Sequence, residues 1–303
     1  YLLRRLVYGG LVVVGVVTLV FIIMRVIPGD PVALMLGSVA SEETVRELSE
    51  KMGLTQPIVT QFRTFLSHAL RGDFGESLFY REPALRLFLQ RLPATAILAL
   101  AAFVLSIVPA VLAGVIAGLR AGGFVDRVVS VVSLVAQSLP NYWVGLMLIL
   151  VFARTLRLLP SSGYGGFSHL VLPAVTLAVP LVAVTARLVR SGILDILPLD
   201  FVRTARAKGL SERVVILKHV MKNLLIPVVT ILGLQLGHLL GGAFIVETVF
   251  AWPGVGRLVI EAIQFRDYPV VGVCVMMTAL VFVVVNILTD LAYAYLDPRI
   301  RYQ

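Results

Sequence analysis

The segment "DFVRTARAKGLSERVVILKHVMKN" (residues 200–223) carries six Lys or Arg against two acids, and it stands between two strongly apolar runs of a 303-residue chain. A soluble fold has no use for that contrast. In a chain that crosses a bilayer, apolar runs of about 20 residues span the hydrocarbon and the segments joining them hold the charge. Read outward from the basic segment, six runs have spanning character: 6–27, 93–118, 128–152, 170–190, 225–250 and 269–292. With 59% hydrophobic and 14% charged residues, the chain lies outside the range of ordinary soluble domains. The expected fold is all-α, a polytopic membrane protein with six transmembrane helices. A long extracytoplasmic loop follows the first helix, and the basic segment lies on the cytoplasmic side between the fourth and fifth.

The net charge of +9 follows from the same reading. Basic residues collect in cytoplasmic loops. With the N-terminus inside, Arg4, Arg5, Arg120, Arg127, Arg187, Arg190, the six bases of the opening segment, Arg299 and Arg301 all fall on one side. They face only Asp126, Asp195, Asp200, Glu212 and Asp297. Topology accounts for the excess, so no nucleic-acid partner is expected; the expected surroundings are membrane lipid, with both termini cytoplasmic. The single cysteine, Cys274, lies in the last run, which leaves no intrachain disulfide. No A-x-A cleavage pattern follows the first run, which therefore reads as a span rather than a signal peptide.

Three regions result: 1–27 with the first span, 28–92 as an extracytoplasmic helical subdomain, and 93–303 as a five-helix core that includes a cytoplasmic loop at 191–224. In the subdomain, Ser41 is placed to cap a helix running to Lys51, with Glu42 and Glu43 in its first turn. Pro57 opens a second helix, in which Ile58, Phe62, Phe65 and Leu66 share a face, and Gly72 ends it.

Polar side chains inside a span are costly and face a bundle interior or a water-filled cavity. In the third run, Ser130, Ser133, Gln137 and Asn141 recur at i, i+3, i+7 and i+11, one face of a continuous helix beside Pro140. Such a face suits a polar pathway or, equally, hydrogen bonds between helices. In the fifth run, Gly233, Gly237 and Gly241 form a close-packing face, and Gln235 and His238 project away from it. Ser133, Gln137, Asn141, Gln235 and His238 are thus the candidate pathway residues. The second run repeats the small-residue pattern at Ala110, Gly114 and Gly118. His238 has no second His or Cys at ligand spacing, so no metal site is expected. Asp290, near the inner end of the last run, reads as an interfacial or paired acid.

No phosphate loop, H-E-x-x-H or G-x-S-x-G motif occurs, so no catalytic residue and no cofactor are expected in this chain. If ATP is used, another chain binds it.

The basic segment itself reads as two short helices around a turn. Phe201, Ala205 and Gly209 fall at i, i+4 and i+8, a ridge that tapers to nothing, with Arg203 and Arg206 beside it. Gly209 accepts a left-handed cap at no steric cost, and Ser211 is placed to cap the next helix. A lipid-bound helix wants a broad apolar face. Ala and Gly suit close approach of a soluble cytoplasmic protein instead.

"RTARAKG" (203–209) resembles the cytoplasmic loop of ABC-importer permeases, in the form found in the dipeptide/oligopeptide/nickel branch. "PGDP" (28–31), "GLTQPIVTQF" (53–62), "GDFGES" (72–77), "RLPAT" (91–95) and "ETVFAWPGVGRL" (247–258) followed by "RDYP" (266–269) match that branch in order. The long loop after the first span resembles the first of the two permeases such systems use. Arg203 and Thr204 replace the Glu and first Ala of the general loop, and the I-x-L-P that normally follows its Gly is absent at that spacing; both departures favour the peptide branch over sugar or amino-acid permeases. The resemblance implies a permease subunit that passes short peptides from an extracytoplasmic binding protein into the cytoplasm, or nickel or another small solute in the same branch. It implies a second homologous permease and two ATP-binding subunits that hold ATP and Mg. It assigns Phe201, Arg203, Ala205, Arg206, Lys208 and Gly209 to a coupling helix seated on one of those subunits, in the inner membrane of a prokaryote. The alternative from another class, a transporter driven by an ion gradient, wants a midplane acid, and Glu247 and Asp290 both stand near run ends.

Overall fold

The structure, a computed structural model, describes residues 2–26, 42–51 and 55–296. The described chain is helical, with a single isolated bridge between Glu76 and Pro83. Helix α1 covers Leu2–Val26, α2 Glu42–Lys51, α3 Ile58–Leu70, α4 Ala84–Leu119 and α5 Phe124–Ser138. Helix α6 (Asn141–Leu148) widens into π geometry over Ile149–Thr155, and α7 (Phe167–Ile196) follows. Helix α8 is Asp200–Ala207. Helix α9 begins at Glu212–Val214, passes through a π stretch at Val215–Val220 and continues as Met221–Gly242. Helices α10 (Phe244–Val249), α11 (Val255–Gln264) and α12 (Tyr268–Leu296) complete the chain.

Four helices, α4, α7, α9 and α12, are long and apolar enough to cross a membrane, and α5 with α6 adds a fifth if that pair is one span. The apolar stretch described in α1, Val7–Ile23, is shorter. The expected continuous third helix is not what forms. It breaks at Leu139, whose backbone is extended ahead of Pro140, and the two halves meet at 103°. Steric conflict between a proline ring and the preceding residue disfavours helical geometry there, which is enough to end α5. Helix α4 begins at Ala84, so it crosses the boundary read at residue 93.

Helix α7 is the axis of the bundle: 44% of its apolar window is buried, against 22–28% for the other three long helices. Its contact with α4 depends on the expected small residues. A Cβ at Gly114 would stand 2.5 Å from Val189 Cβ and 2.6 Å from the Ala186 carbonyl, and one at Gly118 would stand 2.9 Å from Ile193. Gly233 and Gly237 bring α9 onto α12 in the same way, against Thr289 and Phe282. The packing of Gly241 and the side chain of Asp290 lie outside the described residues, as do Ser41 and the 28–31 motif.

The subdomain helices form as expected. Pro57 stands at the start of α3, and Gly72 follows its end at φ +77°. Phe62 and Phe65 pack on Phe21 of α1 with ring centroids 5.2 and 5.6 Å apart, while Ile58 of the same expected face is exposed.

Two ends of the bundle now have distinct contents. Where α4 begins, residues 72–83, α10 and α11 close over it; this is the cap end. Where α4 finishes, Val202 and Ala205 of α8 join a core of Val189, Ile193, Val215, Val220 and Leu224.

Candidate functional site: a surface helix and a polar groove

The opening segment folds as two helices around a glycine turn. Gly209 adopts φ +77°, its N–H donates to the Arg206 carbonyl at 2.9 Å, and the Leu210 N–H reaches back to the Ala205 carbonyl. That is the left-handed helix stop expected of glycine. Ser211 occupies the cap position of α9 but makes no side-chain bond to it. The turn is clipped instead by Arg206, whose guanidinium donates to both carboxylate oxygens of Glu212 at 2.6 and 3.1 Å. Two parallel bonds hold the carboxylate and the guanidinium in one plane, a geometry suited to paired donors.

Five of the six candidate docking residues (Phe201, Arg203, Arg206, Lys208 and Gly209) are exposed. Ala205 is the exception and a correction to the expected ridge. It is buried at 4%, beside fully buried Val202, so the small side of α8 faces the chain's own core. At 100° per residue, Val202 and Ala205 take the inward face and leave Phe201 at its margin. The surface offered outward is therefore Phe201 with a basic flank.

The candidate pathway residues separate into two cavities along α7. Asn141, Gln235 and His238 line one of about 140 Å³, together with Pro180 and Leu181. Gln137 and Ser130 line another of about 620 Å³, with Arg187, Arg190, Ser191 and Ile231. The break at Pro140 is what divides them, since it carries Asn141 off the helix of Gln137. Ser133, of the same expected face, is buried at 5% and lines neither cavity. Thr185 Oγ1 donates to Gln235 Oε1 at 3.2 Å, tying α7 to α9.

Sequence reading missed the charges of this groove. Arg190 donates to both oxygens of Asp126, which is buried and also accepts the Gly122 N–H at 2.9 Å. Arg187 Nη1 donates to Gln137 Oε1 at 2.8 Å. The charge rule absorbs both arginines, and no local pattern links Arg190 to an aspartate in the first turn of a different helix, α5.

At the cap end, the carboxylate of Glu247 is fully buried. It accepts from Thr95 Oγ1 at 2.7 Å and from the Arg257 N–H at 3.1 Å, so it caps the start of α11. Thr95 in turn accepts the Val255 N–H at 2.8 Å. A Cβ at Gly254 would fall on that carboxylate, which is why the turn into α11 carries glycine. This is a structural use of the acid.

Residues 110–302 match the family described as the binding-protein-dependent transport system inner membrane component, and residues 1–99 match the N-terminal membrane-component family of the same systems. The chain belongs to this family. Relatives in the family include a probable peptide ABC transporter permease of Sinorhizobium fredii, 41% identical over 310 residues that cover 100% of this chain and 99% of that protein. A glutathione transport system permease of Escherichia coli is 39% identical over 94% of this chain and 93% of its own length. A dipeptide transport system permease of Alkalihalophilus pseudofirmus is 36% identical over 100% and 99%. Among solved structures, an inward-facing methionine ABC transporter shares the fold, with a TM-score of 0.58 and 20% identity over 70% of this chain and 97% of that one. This permease component is thus a multi-pass inner-membrane protein and is not itself the catalytic subunit of its system.

Proposed function

We propose that this chain is the permease subunit of an ATP-driven importer that moves short peptides from an extracytoplasmic binding protein into the cytoplasm. The observation that carries the reading is α8, a closed helix and turn presenting Phe201, Arg203, Arg206 and Lys208 at one end of the bundle while Val202 and Ala205 anchor it to the core. A partner that moves α8 moves the bundle end with it, the form of rigid-body switching that alternates access. The polar groove beside α7 supplies the path, and its α8 end opens to the cytoplasm.

In this reading the six spans are α1, α4, the bent pair α5–α6, α7, α9 and α12, with both termini cytoplasmic. A homologous second permease faces this one, each seated on an ATP-binding subunit. Phe201, Arg203, Arg206, Lys208 and Gly209 meet that subunit, and Ala205 supports them from beneath. The full-length peptide, dipeptide and glutathione relatives support the peptide class, and selection among peptides rests with the binding protein.

The test is co-purification. The tagged chain, extracted gently from its native membrane, retains a phosphate-loop ATPase, and Phe201→Asp combined with Gly209→Trp strips it away. If no ATPase is retained by the unaltered chain, the proposal fails and an ion-driven transporter with a lipid-bound α8 takes its place.

A further inference from the structure

The larger cavity holds a cation that nothing in the described protein neutralises. Arg187 and Arg190 are neighbours on α7, and both line the cavity. Arg190 is satisfied by Asp126. Arg187 is not: its one hydrogen bond goes to the neutral amide of Gln137, and among the described residues no carboxylate pairs with it. The hydroxyls of Ser130 and Ser191 line the same space, and the other lining groups are apolar. Arg187 is exposed to this space, so water or an anion meets the guanidinium there. Its planar donors match a carboxylate or a phosphate, and four of its five N–H groups remain for one.

We propose that Arg187, oriented by Gln137, is an oxyanion subsite of the translocation groove that takes the C-terminal carboxylate of the transported peptide. This rests on the peptide reading above. A free peptide ends in a carboxylate whatever its side chains are, so one arginine engages the whole class without reading the side chains. A phospholipid headgroup offers the same chemistry through its phosphate, and the experiment separates the two sources.

The assembled, nucleotide-free transporter, purified without its binding protein, is titrated by saturation-transfer NMR with a dialanine free acid and its C-terminal amide. Benzoate and benzamide serve as a second pair independent of the cargo. The acid of each pair binds about tenfold tighter or better than its neutral partner, the size a charge-assisted bond supplies. Arg187→Gln abolishes the preference without moving the amide's affinity, and Arg187→Lys keeps part of it. A preference that survives in Arg187→Gln overturns the site. If benzoate shows the Arg187-dependent preference while neither peptide binds, the oxyanion site stands and the peptide reading falls. If no acid is preferred and mass spectrometry finds a phospholipid held by the native complex but lost from Arg187→Gln, the ligand is a headgroup and the carboxylate assignment is wrong. If Arg187→Gln releases the second permease, Arg187 belongs to that interface and the proposal is overturned.

Discussion

The two ends of this bundle are held together by different physics. At the cap end, polar contacts are buried or half-buried and most of them join residues remote in sequence. Glu247 receives Thr95 and the start of α11, the Trp252 indole donates to the Ala94 carbonyl, and Asp267 accepts the Ser77 hydroxyl and the Phe79 N–H. Tyr80 and Arg257 both donate to Glu261. At the α8 end, the ion pairs of α8 itself are local and wet: Arg206 with Glu212, and Arg203 with Asp200, all substantially exposed, while the partly buried Arg190–Asp126 pair ties α7 to α5 and does not hold α8. Only Val202 and Ala205 bind α8 to the core. A buried polar network rigidifies where it is satisfied, as both oxygens of Glu247 are. An element held by two small apolar side chains moves readily as a unit. The cap end is built to keep its shape; under the function proposed above, the α8 end transmits displacement.

The largest effect follows from breaking the cap. Glu247→Ala leaves the Thr95 hydroxyl and the Arg257 N–H without an acceptor inside the protein, a loss of about 2–4 kcal/mol. Gly254→Ala acts through the same carboxylate by driving a methyl into it, and destabilises comparably. Thermal unfolding of the detergent-purified chain measures both. A shift in either variant no larger than that of a surface substitution would refute the contrast at its stronger end.

Gly209→Trp comes next, and it separates stability from coupling. The residue sits at φ +77°, and nothing lies within 4 Å of the place a Cβ would take, so the only folding cost is the left-handed backbone, about 1–2 kcal/mol at an exposed turn. Uptake in cells falls at least tenfold, while the purified chain still unfolds cooperatively near the native temperature. Preserved uptake would mean that the turn touches no partner. Arg206→Ala is milder. It removes a half-exposed ion pair worth about 0.2–1 kcal/mol, leaves Tm nearly unchanged and lowers uptake a few-fold.

These contrasts are unequally legible in the sequence. The helical membrane class, the subdomain helices, the glycine contacts at Gly114, Gly233 and Gly237, and the Gly209 stop are local or periodic features, and the chain displays them directly. The break at Pro140 is visible as a proline, but spans tolerate proline, as Pro93 and Pro173 do inside α4 and α7. Only the extended geometry of Leu139 shows that this one ends a helix. Ala205 reads as an outward ridge because helical spacing fixes which residues share a face and leaves open which face the core claims. Asp126 with Arg190, and Glu247 with Thr95, are hidden for a simpler reason. Each joins segments whose proximity exists only after the bundle forms.

The smallest predicted effect tests whether burial, rather than the mere presence of a polar contact, makes the cap end rigid. Asp73, beyond α3, accepts the Gly75 N–H at 3.1 Å and lies 2.8 Å from His68 Nδ1, and these contacts hold its carboxyl below the ordinary aspartate value of 3.8. A depressed carboxylate pKa contributes stability above the unfolded value, and the contribution is lost as pH falls through the folded one. The native chain therefore loses slightly more stability than Asp73→Asn on going from pH 5 to below pH 3, and the two are alike in pH response above pH 5. Both side chains are more than half exposed, so solvent screening keeps the difference to about 1 °C in Tm, and added salt shrinks it further. A cap-end contact would then be worth as little as Arg206–Glu212 at the opposite end, because both are wet. If Asp73→Asn instead cost as much as Glu247→Ala, exposure would not be what separates the two ends, and the rigidity of the cap would have to be sought in its connectivity alone.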